Sequence, residues 1–165
     1  ERKFNVDEVF ELAEQIERNG GRFYRKVADQ TKDPERVDLL LRLAAMEDEH
    51  EKIFVRLRAE TAQAMESGSY IDPDNQAVLY LRAIADGHVF DSQGDPAELI
   101  TGAQSMGDLL RRAIVLEKDS IVFYVGIKHA MPDTWDPDRI DAIIREEMKH
   151  VTTLTQELAA LAESG

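Results

Sequence analysis

The chain of 165 residues contains no cysteine. That absence excludes disulfides, zinc ribbons, iron–sulfur clusters and thiol catalysis together. Any redox chemistry must then rest on His and carboxylate ligands or on a partner protein. Basic residues are also in the minority, 20 against 33 acidic ones, for a formal net charge of −13. A field of that sign disfavours nucleic acid and anionic membranes as partners and favours attraction of cations, although it identifies no site. No run reaches the roughly eighteen apolar residues of a membrane span. The N-terminal stretch ERKFNVDEVF lacks the basic-then-apolar pattern of a signal peptide. A soluble, cytoplasmic protein is the expectation. With 43% hydrophobic residues, residues 1–165 are expected to form one globular domain with a substantial core.

What is present is helical periodicity. Asn5 and Glu8 resemble an N-terminal capping arrangement, and Val9, Leu12, Ala13, Ile16, Gly20, Phe23, Tyr24, Val27 and Ala28 keep a helical stripe. A first helix is predicted from about Val6 to Thr31. Asp33-Pro34 breaks it and starts a second, whose stripe runs from Val37 through Leu40, Ala44, Glu47, His50, Phe54 and Leu57 toward Met65. The short link makes the two an antiparallel hairpin.

From Ser67 to about Gln104 the pattern loosens. Two short helical pieces are predicted there, Gln76–Ala85 and Ala97–Ala103. So long a connection has a reason if it carries the chain along the length of a bundle, so that the second and third helices run in the same direction. Ser105 to Asp108 can cap the third helix, which reaches about Ala130. MPDTWDPD is a turn, and the fourth helix runs from Asp138 to about Ala162. The expected fold is all-α: a four-helix bundle with a twofold internal repeat and a long crossover containing short helices.

The repeat carries the chemistry. Glu147 and His150, three residues apart in IDAIIREEMKH, answer Glu47 and His50 in AAMEDEH. Glu117 answers Glu17, and Phe123-Tyr124 answers Phe23-Tyr24, every offset being one hundred residues. Residues three apart share a helix face, so each Glu and His pair can aim at one point in the bundle interior. Glu17 and Glu117 add one carboxylate each. A single Glu-x-x-His is a common solvated helix motif. Two copies with matched upstream glutamates point instead to one dinuclear metal site of Glu17, Glu47, His50, Glu117, Glu147 and His150. Around two divalent ions, four carboxylates and two neutral imidazoles sum to about zero charge. Without metal the carboxylates would repel, and some would protonate. Oxygen-rich ligation with one imidazole per ion suits Fe(II) or Mn(II), with Zn(II) a further candidate.

Tyr24 and Tyr124 lie seven residues after their glutamates. Each phenol fills core space, or holds a ligand carboxylate and serves as a one-electron source near the metals; the two readings are compatible. Gly20 and Ser120 leave room for substrate or permit close helix packing, and packing is favoured. Glu49, Glu51 and Glu146 point away from the site by helical phase and are expected to be solvated. His88 and His129 have no carboxylate three residues before them and are expected to be structural or exposed, and Trp135 is read as a packing anchor in the turn.

In combination, Glu-x-x-Gly/Ser-x-x-Phe-Tyr and Glu-x-x-His, each present twice, resemble the rubrerythrin branch of the ferritin-like superfamily across nearly the whole chain. The resemblance implies that the six residues are di-iron ligands, with Glu47 and Glu147 bridging. It further implies reaction of a diferrous site with hydrogen peroxide or dioxygen as peroxidase or ferroxidase, and a homodimer. The chain departs from that pattern in two respects. Classical rubrerythrins carry a rubredoxin-like domain with four cysteines, so electrons here are expected from a separate donor protein. They also place an additional glutamate one turn after the third-helix ligand, where this chain has Ser120, so a symmetric site of the ordinary ferritin-like kind is indicated. Iron sequestration or delivery, and a bundle that metal merely stabilises, are the competing readings.

Overall fold

A computed structural model describes residues 6–66, 79–81, 83, 95–131 and 137–164. Four long helices account for most of these: α1 (Val6–Ala28), α2 (Pro34–Glu66), α3 (Met106–Ala130) and α4 (Asp138–Glu163). Among the described residues there is no β-strand.

The helix boundaries follow local chemistry. At the end of α1 the amides of Gln30 and Thr31 bond back to the carbonyls of Val27 and Ala28, a tightened final turn that stops the helix short of the predicted Thr31. Pro34 occupies the first turn of α2, and Asp33 Oδ1 accepts from the Glu35 amide at 3.0 Å. Ser105 caps α3 by accepting from the Asp108 amide at 3.1 Å, as expected. The predicted piece Ala97–Ala103 is shorter than its pattern indicated: a 3-10 turn spans only Pro96–Leu99, capped by Asp95. Gln104 then ties the chain back, donating to Leu99 O at 2.6 Å while accepting from the Thr101 amide at 3.0 Å. Gly102 turns at φ 82°, so side-chain bonds replace the helical ladder. Of the other predicted piece, 79–81 and 83 are helical. His88 and Trp135 lie outside the described residues.

Helix directions can be read from side-chain pairs. Phe10 meets Phe54, and Arg58 binds Asp7 at 2.7 Å, so α1 and α2 are antiparallel. Lys128 reaches Asp141 at 2.9 Å, making α3 and α4 antiparallel. Tyr24 bonds Glu117 and Tyr124 bonds Glu17, so α1 and α3 are antiparallel too. Arg36 pairs with Glu157 and Glu60 with Arg139, which orients α2 against α4 in the same sense. It follows that α2 and α3 are parallel, the arrangement for which the long connection was expected.

The interior is divided along its length. One apolar cluster gathers Phe10, Ala13, Phe54, Leu57, Phe123, Ile127, Ile140 and Ile143. A second gathers Phe23, Val27, Leu40, Ala44, Leu109, Leu110, Ala113 and Leu154. Between these clusters each helix turns a polar residue inward: Glu17, Glu47, Glu117 and Glu147, with His50 and His150, are all buried. No helix among the described residues is long and apolar enough to cross a membrane.

Candidate metal centre

The structure brings all six predicted donors together. Two overlapping groups form, Glu17, Glu47, His50 and Glu147 on one side and Glu47, Glu117, Glu147 and His150 on the other, with the donor atoms within each group lying within 4.8 Å of one another. Glu47 and Glu147 belong to both groups. Glu147 divides its carboxylate between the halves: Oε1 lies 2.7 Å from His50 Nδ1, and Oε2 lies 3.3 Å from His150 Nδ1. His50 Nδ1 also approaches Glu17 Oε2 at 3.5 Å, and His150 Nδ1 approaches Glu117 Oε1 at 3.3 Å and Glu47 Oε1 at 3.2 Å. The two imidazole rings are nearly parallel, their planes 21° apart and their centroids separated by 6.0 Å.

These atoms are close without being hydrogen-bonded. Glu17 Oε2, Glu47 Oε1, both oxygens of Glu147 and the Nδ1 atoms of His50 and His150 are buried and have no aligned partner. Buried polar atoms are ordinarily paired, and an unpaired one costs about 1–3 kcal/mol. Six such atoms converging on one volume, carboxylate oxygens and imidazole nitrogens together, form a donor set able to hold divalent cations.

Protons take the place of cations in the metal-free cluster. Burial, then repulsion from Glu17, Glu117 and Glu147, drives Glu47 well above the usual carboxylate range. Burial and the neighbouring Glu147 raise Glu117 to about 8. Burial and Glu17 push Glu147 upward as well, but the close approach of Glu117, His150 and His50 outweighs them and holds it below the usual value. Burial works against an imidazolium, yet contacts with Glu147 and Glu17 raise His50 to about 11, and Glu117 and Glu147 raise His150 to about 9.

The tyrosines reach across the repeat. The Tyr24 hydroxyl donates to Glu117 Oε1 and the Tyr124 hydroxyl donates to Glu17 Oε1. On Glu17 the phenol fixes Oε1 while Oε2 faces His50, whereas on Glu117 the same oxygen, Oε1, accepts from the phenol and faces His150. Burial first, and then the surrounding carboxylates, holds both phenols well above their ordinary pKa, so they act as donors.

Two other expectations change. Glu146 is not simply solvated: its Oε2 lies 2.5 Å from His50 Nε2, because α2 presents the ring to the edge of α4 that helical phase had turned outward. Glu49 is exposed beside Lys52 as expected, whereas Glu51 is half-buried against Arg18. His129 is exposed. Gly20, expected to serve helix packing, instead makes room for a donor: a Cβ there would stand 2.6 Å from Glu47 Oε2. Its counterpart Ser120 is buried and donates to Leu116 O at 2.9 Å, so its hydroxyl is committed to its own helix. Gly20→Ala is therefore expected to act with opposite signs on stability and binding. The metal-free protein gains up to about 1 kcal/mol of helix propensity, while the displaced Glu47 carboxylate weakens metal binding. Thermal melts in chelator and equilibrium dialysis against Mn(II) check both effects, and an unchanged Mn(II) affinity would show that Glu47 Oε2 is dispensable.

The fold and site together define an all-helical bundle with a buried, internally repeated carboxylate–imidazole cluster. No family model, curated protein or solved structure matches the chain.

Proposed function

We propose that this protein is a di-iron carboxylate oxidoreductase of the ferritin-like, rubrerythrin-related kind, reacting with hydrogen peroxide or dioxygen. The observation that carries this reading is the pair of overlapping four-residue donor groups, which share Glu47 and Glu147 and leave six buried atoms without partners. Glu17 and His50 would hold one ion, Glu117 and His150 the other, and Glu47 and Glu147 both. Carboxylate-rich ligation with one imidazole per position suits Fe(II), and Mn(II) shares the preference. When bound, two Fe(II) ions supply the two electrons that, with two protons, reduce one hydrogen peroxide to two waters, leaving two Fe(III).

The chain's own residues supply the setting. Tyr24 and Tyr124 hold Glu117 and Glu17 in place, so the carboxylates need not reorganise when charge changes. The apolar clusters on either side leave the six Glu and His side chains buried between them. Ser120 offers no carboxylate to exchange onto an ion, which favours a ligand set that stays the same through turnover. With no cysteine among these 165 residues, the electrons for re-reduction would come from outside them.

Anaerobic loading with Fe(II) followed by a stoichiometric peroxide or oxygen pulse tests the proposal. Two irons oxidised per chain, followed optically, is the expected result. The absence of any optical change would overturn it, and uptake continuing well past two irons per chain would make the protein an iron store.

A further inference from the structure

Around the cluster the hundred-residue repeat is nearly perfect. Glu17 answers Glu117, Glu47 answers Glu147, His50 answers His150, and the two tyrosines cross over in the same way. It fails at the one pair of positions that touches the far side of both imidazoles, where residue 46 is Met and residue 146 is Glu. Both rings turn Nδ1 toward the cluster. Behind His50, Nε2 lies 2.5 Å from Glu146 Oε2, whereas behind His150, Nε2 lies 3.4 Å from Met46 Sδ.

This difference has a chemical consequence. An imidazole that ligates through Nδ1 keeps its proton on Nε2 and donates it to whatever stands behind. A carboxylate is a strong acceptor and a thioether a weak one. A carboxylate partner fixes the ring's tautomer and orientation and makes it a more basic ligand. We infer that the two cation positions are inequivalent, the one served by His50 binding more tightly and filling first, with Glu146 as the positioning residue that sets the order. This rests on reading the cluster as a dinuclear metal site. Outer partners of this kind typically change affinity by about 10–100-fold. The Glu146 side chain is 43% exposed, so the lower end, about tenfold, applies.

Zn(II) is the probe, because it is diamagnetic and lets the ring nitrogens be followed by 15N NMR in metal-free protein. At less than one equivalent, His50 Nδ1 is expected to shift to its metal-bound position while His150 remains free, and calorimetry should resolve two steps about tenfold apart. Glu146→Met, at a partly exposed position, leaves both imidazoles facing a thioether and should bring the two steps together. Combined with Met46→Glu it should reverse the order, so that His150 responds first. A change in filling order is not an effect that a loss of packing produces. Simultaneous filling in the native chain, or an order unaltered by the exchange, would overturn the inference while leaving the dinuclear site standing. Failure of both histidines to respond to Zn(II) would overturn the inference and the site together.

Discussion

Stripped of metal at pH 8, the protein is expected to melt roughly 15–30 °C below its loaded form. Each bound ion contributes about 4 kcal/mol when free metal exceeds Kd a thousandfold, and each kcal/mol moves Tm about 2–4 °C in a domain of this size. The physical source is the cluster between the two apolar cores, where four carboxylates and two imidazoles are buried with unpaired atoms facing each other. Without cations only protons offset the repulsion, so the metal-free protein should carry a distinctive pH dependence. Glu117 is raised to about 8 from an ordinary 4.5, so the folded state holds its proton more tightly than the unfolded state, and stability is lost as pH rises through that interval. The histidines act in the same direction. Their raised values, about 11 and 9 against an ordinary 6.5, contribute stability that is full below 6.5 and lost as pH rises toward those values. The depressed Glu147 contributes stability that is full above 4.5 and is lost only as pH falls below that value. The Tm of the chelated protein should therefore decline from pH 6 to pH 9 while the Mn(II)-loaded protein changes little, widening the gap. Circular-dichroism melts across that range test this, and coincident curves with and without metal would rule out a cation-holding cluster.

Glu47→Gln is expected to abolish dinuclear binding without harming the metal-free fold. Glu47 belongs to both donor groups, so its loss affects both ions, and the weakening should exceed the roughly 100-fold upper range typical of outer partners. The amide is nearly isosteric and leaves no cavity. It also resembles the protonated acid, the form that burial and three neighbouring carboxylates already favour in metal-free protein. In chelator at pH 8 the variant should therefore melt at or above the native temperature. With Mn(II) it should show none of the native gain. Dialysis and melts together decide the matter: two ions retained at native affinity would mean that the six residues are not the ligand set.

Much of this arrangement was legible in the residues. The helical stripes of 9–28 and 37–57 mark the faces that the bundle buries, and the matched offsets 17/117, 47/147 and 50/150 single out the six donors among 33 acidic residues and four histidines. The long stretch between the second and third stripes is also accounted for, since a chain joining two parallel helices must run back along the bundle. Periodicity does not reveal that Gln104 and Gly102 curtail the piece after Pro96, because that depends on side-chain bonds competing with the backbone ladder.

By itself, then, the amino-acid order determined the helices and their inward faces, which depend on a repeat of 3.6 residues within one segment, while the hundred-residue offset marked the six Glu and His residues that converge between the two cores. Tertiary structure alone decided which donor meets which. Tyr24 serves Glu117 rather than Glu17 because α1 and α3 lie antiparallel, Gly20 yields its space to Glu47 from the neighbouring helix, and Glu146 stands behind His50 although its own helix turns it outward. Each of these contacts is set by the register between helices, and no periodicity within a single helix contains that quantity.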